Sequence, residues 1–243
     1  MYSPRKLVFV TIILTMIFIF CFSDSFAATL PSDEPEYESF AGCYIAEFPD
    51  NTYDGSKPIV FFFPGSGEAN SINATVRFIK DYAIYDDIDA SIVAVAINNN
   101  STKTDYSDWD NLGKQMSDWL YDKYLALDDD MTFEVIVDCV SMGGLGGTYF
   151  TEYALEAGVD VSQINLADAC TGWCTKEILE SFMEQGVDVN VYACNGPKNI
   201  SERSRGMIKA LDGNENFHGV VLDCSHGQCL HDAVYEDGLH TDY

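Results

Sequence analysis

Positive charge is scarce in this sequence. Lysine and arginine total 13 against 39 aspartates and glutamates, a formal net charge of −26 at pH 7. A surface of that sign repels phosphate backbones and anionic lipid headgroups, so neither nucleic acid nor a membrane surface is an expected partner. Histidine is scarce too, at four residues, which narrows any search for an imidazole base. After the first residues there is no apolar run long enough to cross a membrane. Internal repeats are absent as well. The cysteines follow no standard zinc spacing, and neither a metal nor a cofactor is implied.

The acid is not a mark of disorder, because 47% of the residues are hydrophobic and 13% aromatic; a chain this apolar folds. At the start, Arg5 and Lys6 precede an apolar run from Leu7 to Phe22. A polar break and the small-residue pattern Ser25-Phe26-Ala27 follow. That is the order of a secretory signal peptide, with cleavage expected after Ala27 and a secreted product. The run is shorter than the about 20 residues of a spanning helix; an uncleaved N-terminal membrane anchor is the alternative. Residues 28–40 are polar and read as a flexible mature N-terminus. Residues 41–243 suit one domain with a sizeable core. Seven cysteines remain after position 27. Export permits disulfides, but an odd number leaves one thiol free or paired between chains. Cys170 and Cys174, four apart, are a candidate pair.

Apolar runs then alternate with helical stripes. Pro58–Phe63, Ser91–Ile97, Phe133–Asp138, Val161–Ala167, Val187–Cys194 and Phe217–Cys224 read as strands, the first as one buried on both faces and the second as buried too. Between them lie stretches with helical spacing, such as Trp109, Leu112, Met116, Trp119 and Leu120. This order predicts an α/β fold: a mainly parallel sheet of about six to eight strands with helices on both faces. Sites in such sheets form beyond the carboxyl ends of the strands.

There the strongest signal is Val135-Ile-Val-Asp-Cys-Val-Ser-Met-Gly-Gly144. A strand runs into Ser141 and a helix begins at once. A nucleophile elbow requires this context, with small residues two before and two after the serine. Gly143 meets the second demand; Cys139 stands where glycine is usual. Ser141-Met142-Gly143-Gly144 in this setting resembles the elbow of the α/β-hydrolase family, and the resemblance extends over residues 58 to about 235.

That resemblance implies a set of catalytic residues. Ser141 is the implied nucleophile. The backbone N–H of Met142 is one oxyanion donor. Pro64-Gly65-Ser66-Gly67 looks like the family's His-Gly-x-Gly loop with proline replacing histidine, which makes Ser66 the second. His226, just after the last strand, sits where the family's histidine lies, with His231 as an alternative base. His218 and His240 read as surface residues. The acid is usually placed after the strand before last, where this chain has Asn199. Asparagine orients an imidazole but cannot offset its charge. Asp168, at the end of the preceding strand, is the preferred acid. The expected activity is a secreted serine hydrolase acting on carboxylic esters, or on amides, through an acyl-enzyme. Its substrate would be a small-molecule or polymer-attached acyl ester. A non-catalytic binding protein on the same fold, or an acyltransferase, remains open.

Overall fold

Ile59–Phe63 contains no polar side chain, and its residues are fully buried on both faces. Such a segment can satisfy its backbone only between two other strands, and its neighbours here have the same character. The structure is a computed structural model describing residues 35–48, 57–82, 84–85, 88–97, 106–124 and 134–240. The expected leader over residues 1–27 lies outside the described residues. No described helix is long and apolar enough to cross a membrane.

Eight strands form one sheet: β1 (Glu36–Phe40), β2 (Cys43–Glu47), β3 (Ile59–Phe63), β4 (Ser91–Ile97), β5 (Val135–Val140), β6 (Val161–Ala167), β7 (Asp188–Cys194) and β8 (Phe217–Leu222). Their spatial order is β1-β2-β4-β3-β5-β6-β7-β8. β1 and β2 pair antiparallel, as do β2 and β4; the other pairs are parallel. Among the described residues six helices accompany them: α1 (Ile72–Asp81), α2 (Tyr106–Lys123), α3 (Gly143–Glu156), α4 (Lys176–Glu184), α5 (Asn199–Leu211) and α6 (Cys229–Glu236). The mainly parallel α/β sheet read from the sequence is therefore present.

Alternation along each strand divides the core into two layers. Phe61, Phe63, Val137 and Cys139 pack with residues of α2 to α5, including Trp109, Phe150, Leu179 and Leu211. Val60, Phe62, Ile136 and Val140 pack with α1 and α6 through Val76, Ile79, Leu230 and Val234. Helices thus cover both faces, which is why the central strands are largely apolar.

Two expectations change. The last five residues of the supposedly flexible stretch 28–40 form β1. Ala41 and Gly42 have φ of 48° and 94°, the geometry of a two-residue hairpin turn, and β1 folds back onto β2 through it. Pairing with β2, invisible from composition, orders the segment. The second change concerns His240. It is buried, and its Nε2 lies 3.1 Å from Asp138 Oδ2. His218 is exposed as expected and contacts Asp237.

Asp138 belongs to a polar row on the α1/α6 face. Tyr85 donates its hydroxyl to Oδ2 at 2.7 Å, and Asn165 Nδ2 donates to Oδ1 at 2.7 Å. Asn190 then donates to Asn165 at 2.8 Å. Burial pushes the Asp138 carboxyl up. The charge of His240 and hydrogen bonds from His240, Asn165 and Tyr85 outweigh it and hold the group below its ordinary value. A carboxylate whose folded value is depressed contributes stability above the unfolded value, about 3.9. That contribution is lost as pH falls through the folded value. Replacing His240 with Ala removes a partner from a buried charge, which costs about 3–5 kcal/mol. Urea unfolding at neutral pH measures this. A loss under about 1 kcal/mol, the worth of an exposed pair, would show that His240 does not support Asp138.

Among the described residues all seven cysteines are free thiols, Cys170 and Cys174 among them.

Candidate active site

The carboxyl ends of β5, β6, β7 and β8 gather the residues singled out in the sequence. Ser141 follows β5 directly and has φ of 54°. A non-glycine residue in the left-handed region is strained by about 1–3 kcal/mol and persists only where its surroundings hold it. Here they do. The Ser141 N–H donates to the Ala167 carbonyl at 3.3 Å, and the Ser141 carbonyl accepts from Gly144 at 3.2 Å. Met142 caps α3, which starts at Gly143.

Close packing explains the glycines of the turn. A Cβ on Gly143 would lie 2.0 Å from the Phe63 carbonyl oxygen, and one on Gly144 would lie 2.0 Å from that of Ala169. The turn is therefore pressed against the ends of β3 and β6 by residues with no side chain to spare. Cys139, at the position usual for glycine, is fully buried. Space for it comes from α3, where a Cβ on Gly147 would sit 2.2 Å from Cys139 Sγ. Gly147→Ala is accordingly expected to destabilise the protein by about 1–3 kcal/mol. Cys139→Ala in the same chain should recover part of that loss, because the two sites are coupled. Thermal unfolding of the two singles and the double measures the coupling; simple additivity would refute the contact.

The loop Pro64–Gly67 lies beside the serine. A Cβ on Gly65 would be 3.3 Å from Ser141 Cβ and 3.7 Å from the Val140 carbonyl oxygen. The absence of a side chain there lets the loop carrying Ser66 approach the nucleophile. Ser66 itself is exposed.

Asp168 immediately follows β6, with φ of 50°. Since Ser141 bonds to Ala167, the two strained residues terminate neighbouring strands. Asp168 is fully buried. Its Oδ2 lies 2.6 Å from His226 Nδ1 and accepts a hydrogen bond from Ser201 Oγ at 2.5 Å. Its Oδ1 accepts from the Cys194 N–H at 3.4 Å. Burial pushes the Asp168 carboxyl up. Hydrogen bonds from His226 and Ser201, the His226 charge and the Cys194 amide outweigh burial and hold it below the ordinary value. It is an anion facing an imidazole. His226 opens a 3₁₀ turn over His226–Gln228, just beyond β8, and its side chain is 17% exposed. With Nδ1 engaged by the carboxylate, Nε2 is the nitrogen left to exchange a proton.

The alternatives fall elsewhere. His231 lies on α6, paired with the adjacent Asp232 at 2.8 Å. Asn199 is exposed at the first position of α5. Two residues on, that helix instead presents Ser201 to Asp168. Nothing in the local sequence marks Ser201, because its role depends on α5 packing against β7, the neighbour of β6. The same holds for Arg205, which donates to the carbonyls of Cys194 and Gly196 and fixes the end of β7.

No protein-family model matches the sequence, and no curated protein matches it significantly. Solved structures do resemble it. A serine-to-alanine variant of the feruloyl esterase module from Clostridium thermocellum, complexed with sinapinate, superposes with a TM-score of 0.55 at 15% identity, over 83% of this chain and 84% of that one. An alpha-beta hydrolase from Vibrio vulnificus gives 0.57 at 14% identity, over 86% and 81%. An esterase from Pyrobaculum calidifontis gives 0.55 at 12% identity, over 98% and 94%.

Proposed function

We propose that this chain, which has the α/β-hydrolase fold, is a secreted serine hydrolase that cleaves carboxylic esters through an acyl-enzyme on Ser141. One observation carries the reading: Asp168 and His226 meet at 2.6 Å at the strand ends, where Ser141 is held at φ 54°. Ser141 Oγ attacks the ester carbonyl carbon while its proton passes to His226 Nε2. Asp168 holds the Nδ1–H and stabilises the imidazolium. Negative charge gathers on the former carbonyl oxygen, which accepts hydrogen bonds from the N–H groups of Ser66 and Met142. His226 then returns the proton to the departing alcohol, and water repeats the sequence to release the acid.

Two departures from the family pattern, Cys139 and Asn199, are what keep a non-catalytic binding protein open as an alternative. Both have a physical account that supports catalysis instead. The thiol of Cys139 is accommodated by Gly147, and Asp168 serves in place of Asn199. Esters of aromatic acids belong in the first substrate panel, since the sinapinate-bound esterase module shares the fold.

A fluorophosphonate probe tests the reading, because only a serine activated by its histidine is phosphonylated. Stoichiometric labelling of Ser141, with turnover of p-nitrophenyl acetate or methyl ferulate, is the expected result. A folded chain that neither labels nor turns over any ester would leave the binding protein as the better account. Faster ester consumption with added alcohol would identify acyl transfer.

A further inference from the structure

Three thiols converge behind the Asp168–His226 pair. Cys194 ends β7, Cys224 follows β8 and Cys229 opens α6. Their sulfur atoms all lie within 4.8 Å of one another, and Cys194 Sγ is 3.2 Å from Cys224 Sγ. Positions 194, 224 and 229 form no recognisable ligand spacing in the sequence; only the pairing of β7 with β8 and the turn into α6 bring them together.

We propose that Cys194, Cys224 and Cys229 form a binding site for one thiophilic d¹⁰ cation, in the first instance zinc. The number of thiols is the first argument. A disulfide would use two and leave the third without a purpose, whereas a soft-metal site needs three or four such donors. Spacing is the second. Thiolates held about 2.3 Å from one ion lie about 3.8–4.0 Å from each other, so small rotamer changes close this triangle around a cation. Access is the third. Cys194 and Cys229 are buried and Cys224 is half-buried, so the triangle meets solvent on one side. The ion enters there, and a water or an added small thiol completes a tetrahedron. Binding converts three thiols to thiolates and releases three protons to solvent. The resulting zinc tris-thiolate carries a single negative charge.

The site would be structural. Cys224 and Cys229 bracket His226, and the Cys194 N–H reaches Asp168. An ion shared by these residues ties the end of β7 to the turn that carries the imidazole, and so positions His226 against Asp168. It touches neither substrate nor reacting atoms. The inference rests on three sulfur positions and does not depend on the proposed reaction.

The test uses the full chain, fully reduced and freed of metal, titrated with cadmium chloride alone. Binding is read by cadmium–thiolate charge-transfer absorption and by metal content after gel filtration. One cadmium per chain, displaceable by zinc, is expected. Cys224→Ser, at the half-buried corner, should weaken binding by about 100-fold or more, as should Cys194→Ser. Cys170→Ser/Cys174→Ser alters the other buried cysteine pair and should bind as the parent does. A folded, reduced chain that retains no cadmium would overturn the proposal. So would binding that survives Cys194→Ser and Cys224→Ser but is lost in the Cys170/Cys174 variant. A bond between Cys194 and Cys224 in chain purified without reductant, whose reduced form then binds no cadmium, would replace the metal site with a disulfide. Metal content is read without any ester, so an inactive chain that binds cadmium would refute the hydrolase and leave the site standing.

Discussion

Replacing Ser141 with Ala is expected to abolish ester turnover, lowering kcat by about 10⁶-fold. The size follows from the role proposed for the serine. Without it no acyl-enzyme forms, and His226, oriented by Asp168, has no serine proton to take up. What survives is the rate supplied by bound substrate facing two oxyanion donors, about 10³–10⁴ above water. The fold should not suffer. Ser141 sits at φ 54°, and alanine occupies that region no more easily, so the strain is unchanged and the Oγ is lost. The comparison is kcat/KM for p-nitrophenyl acetate in the parent and the variant, with thermal unfolding beside it. Loss of activity at unchanged Tm identifies the nucleophile. Undiminished turnover in Ser141→Ala would mean that another group does the chemistry.

The second large effect concerns Asp168. Asp168→Asn keeps the size of the side chain but removes the charge facing His226, and kcat is expected to fall by about 10⁴-fold. An amide can present its N–H to Nδ1, which favours the wrong tautomer, and it cannot stabilise the imidazolium. The hydrogen bond from Ser201, at 2.5 Å, should survive in part, so the turn after β6 should remain folded. Ser201→Ala should therefore have a far smaller effect on kcat than Asp168→Asn. Steady-state kinetics on the two variants makes the comparison. Equal losses would mean that Asp168 acts by holding the loop and not by its charge.

The sequence was readable wherever a residue's surroundings are set by its near neighbours. Strands β3 to β7 are largely apolar on both faces because helices cover both, and that pattern needs no partner to be seen. The strand–serine–helix context of Ser141 is likewise local. Asp168 and His226 were proposed from their places at strand ends, and the structure brings them to 2.6 Å. What escaped depends on pairing between distant segments. β1 exists because β2 receives it, and Ser201 matters because α5 packs against β7, beside the strand that ends at Asp168. Nearness to the terminus marks His240 as a surface residue. It is buried because the carboxylate of Asp138, more than a hundred residues earlier, needs a partner. The three converging thiols were hidden for the same reason: each lies on a different element, and only their assembly makes them a group.

The polar row from Asp138 through Asn165 to Asn190 has a consequence for how the sheet assembles. Parallel strands made almost entirely of valine, isoleucine and alanine can slide past one another with little penalty, since one apolar residue replaces another. Here Asp138 stands opposite Asn165, and Asn165 opposite Asn190. A slip of β6 by one residue would turn Asn165 to the other face and bring Ile164 or Leu166 level with Asp138. The carboxylate, fully buried, would lose its amide partner, a penalty of several kcal/mol. Misaligned pairings are thereby disfavoured, and the alignment that survives is the one that ends β5 and β6 at the same height, with Ser141 and Asp168 side by side.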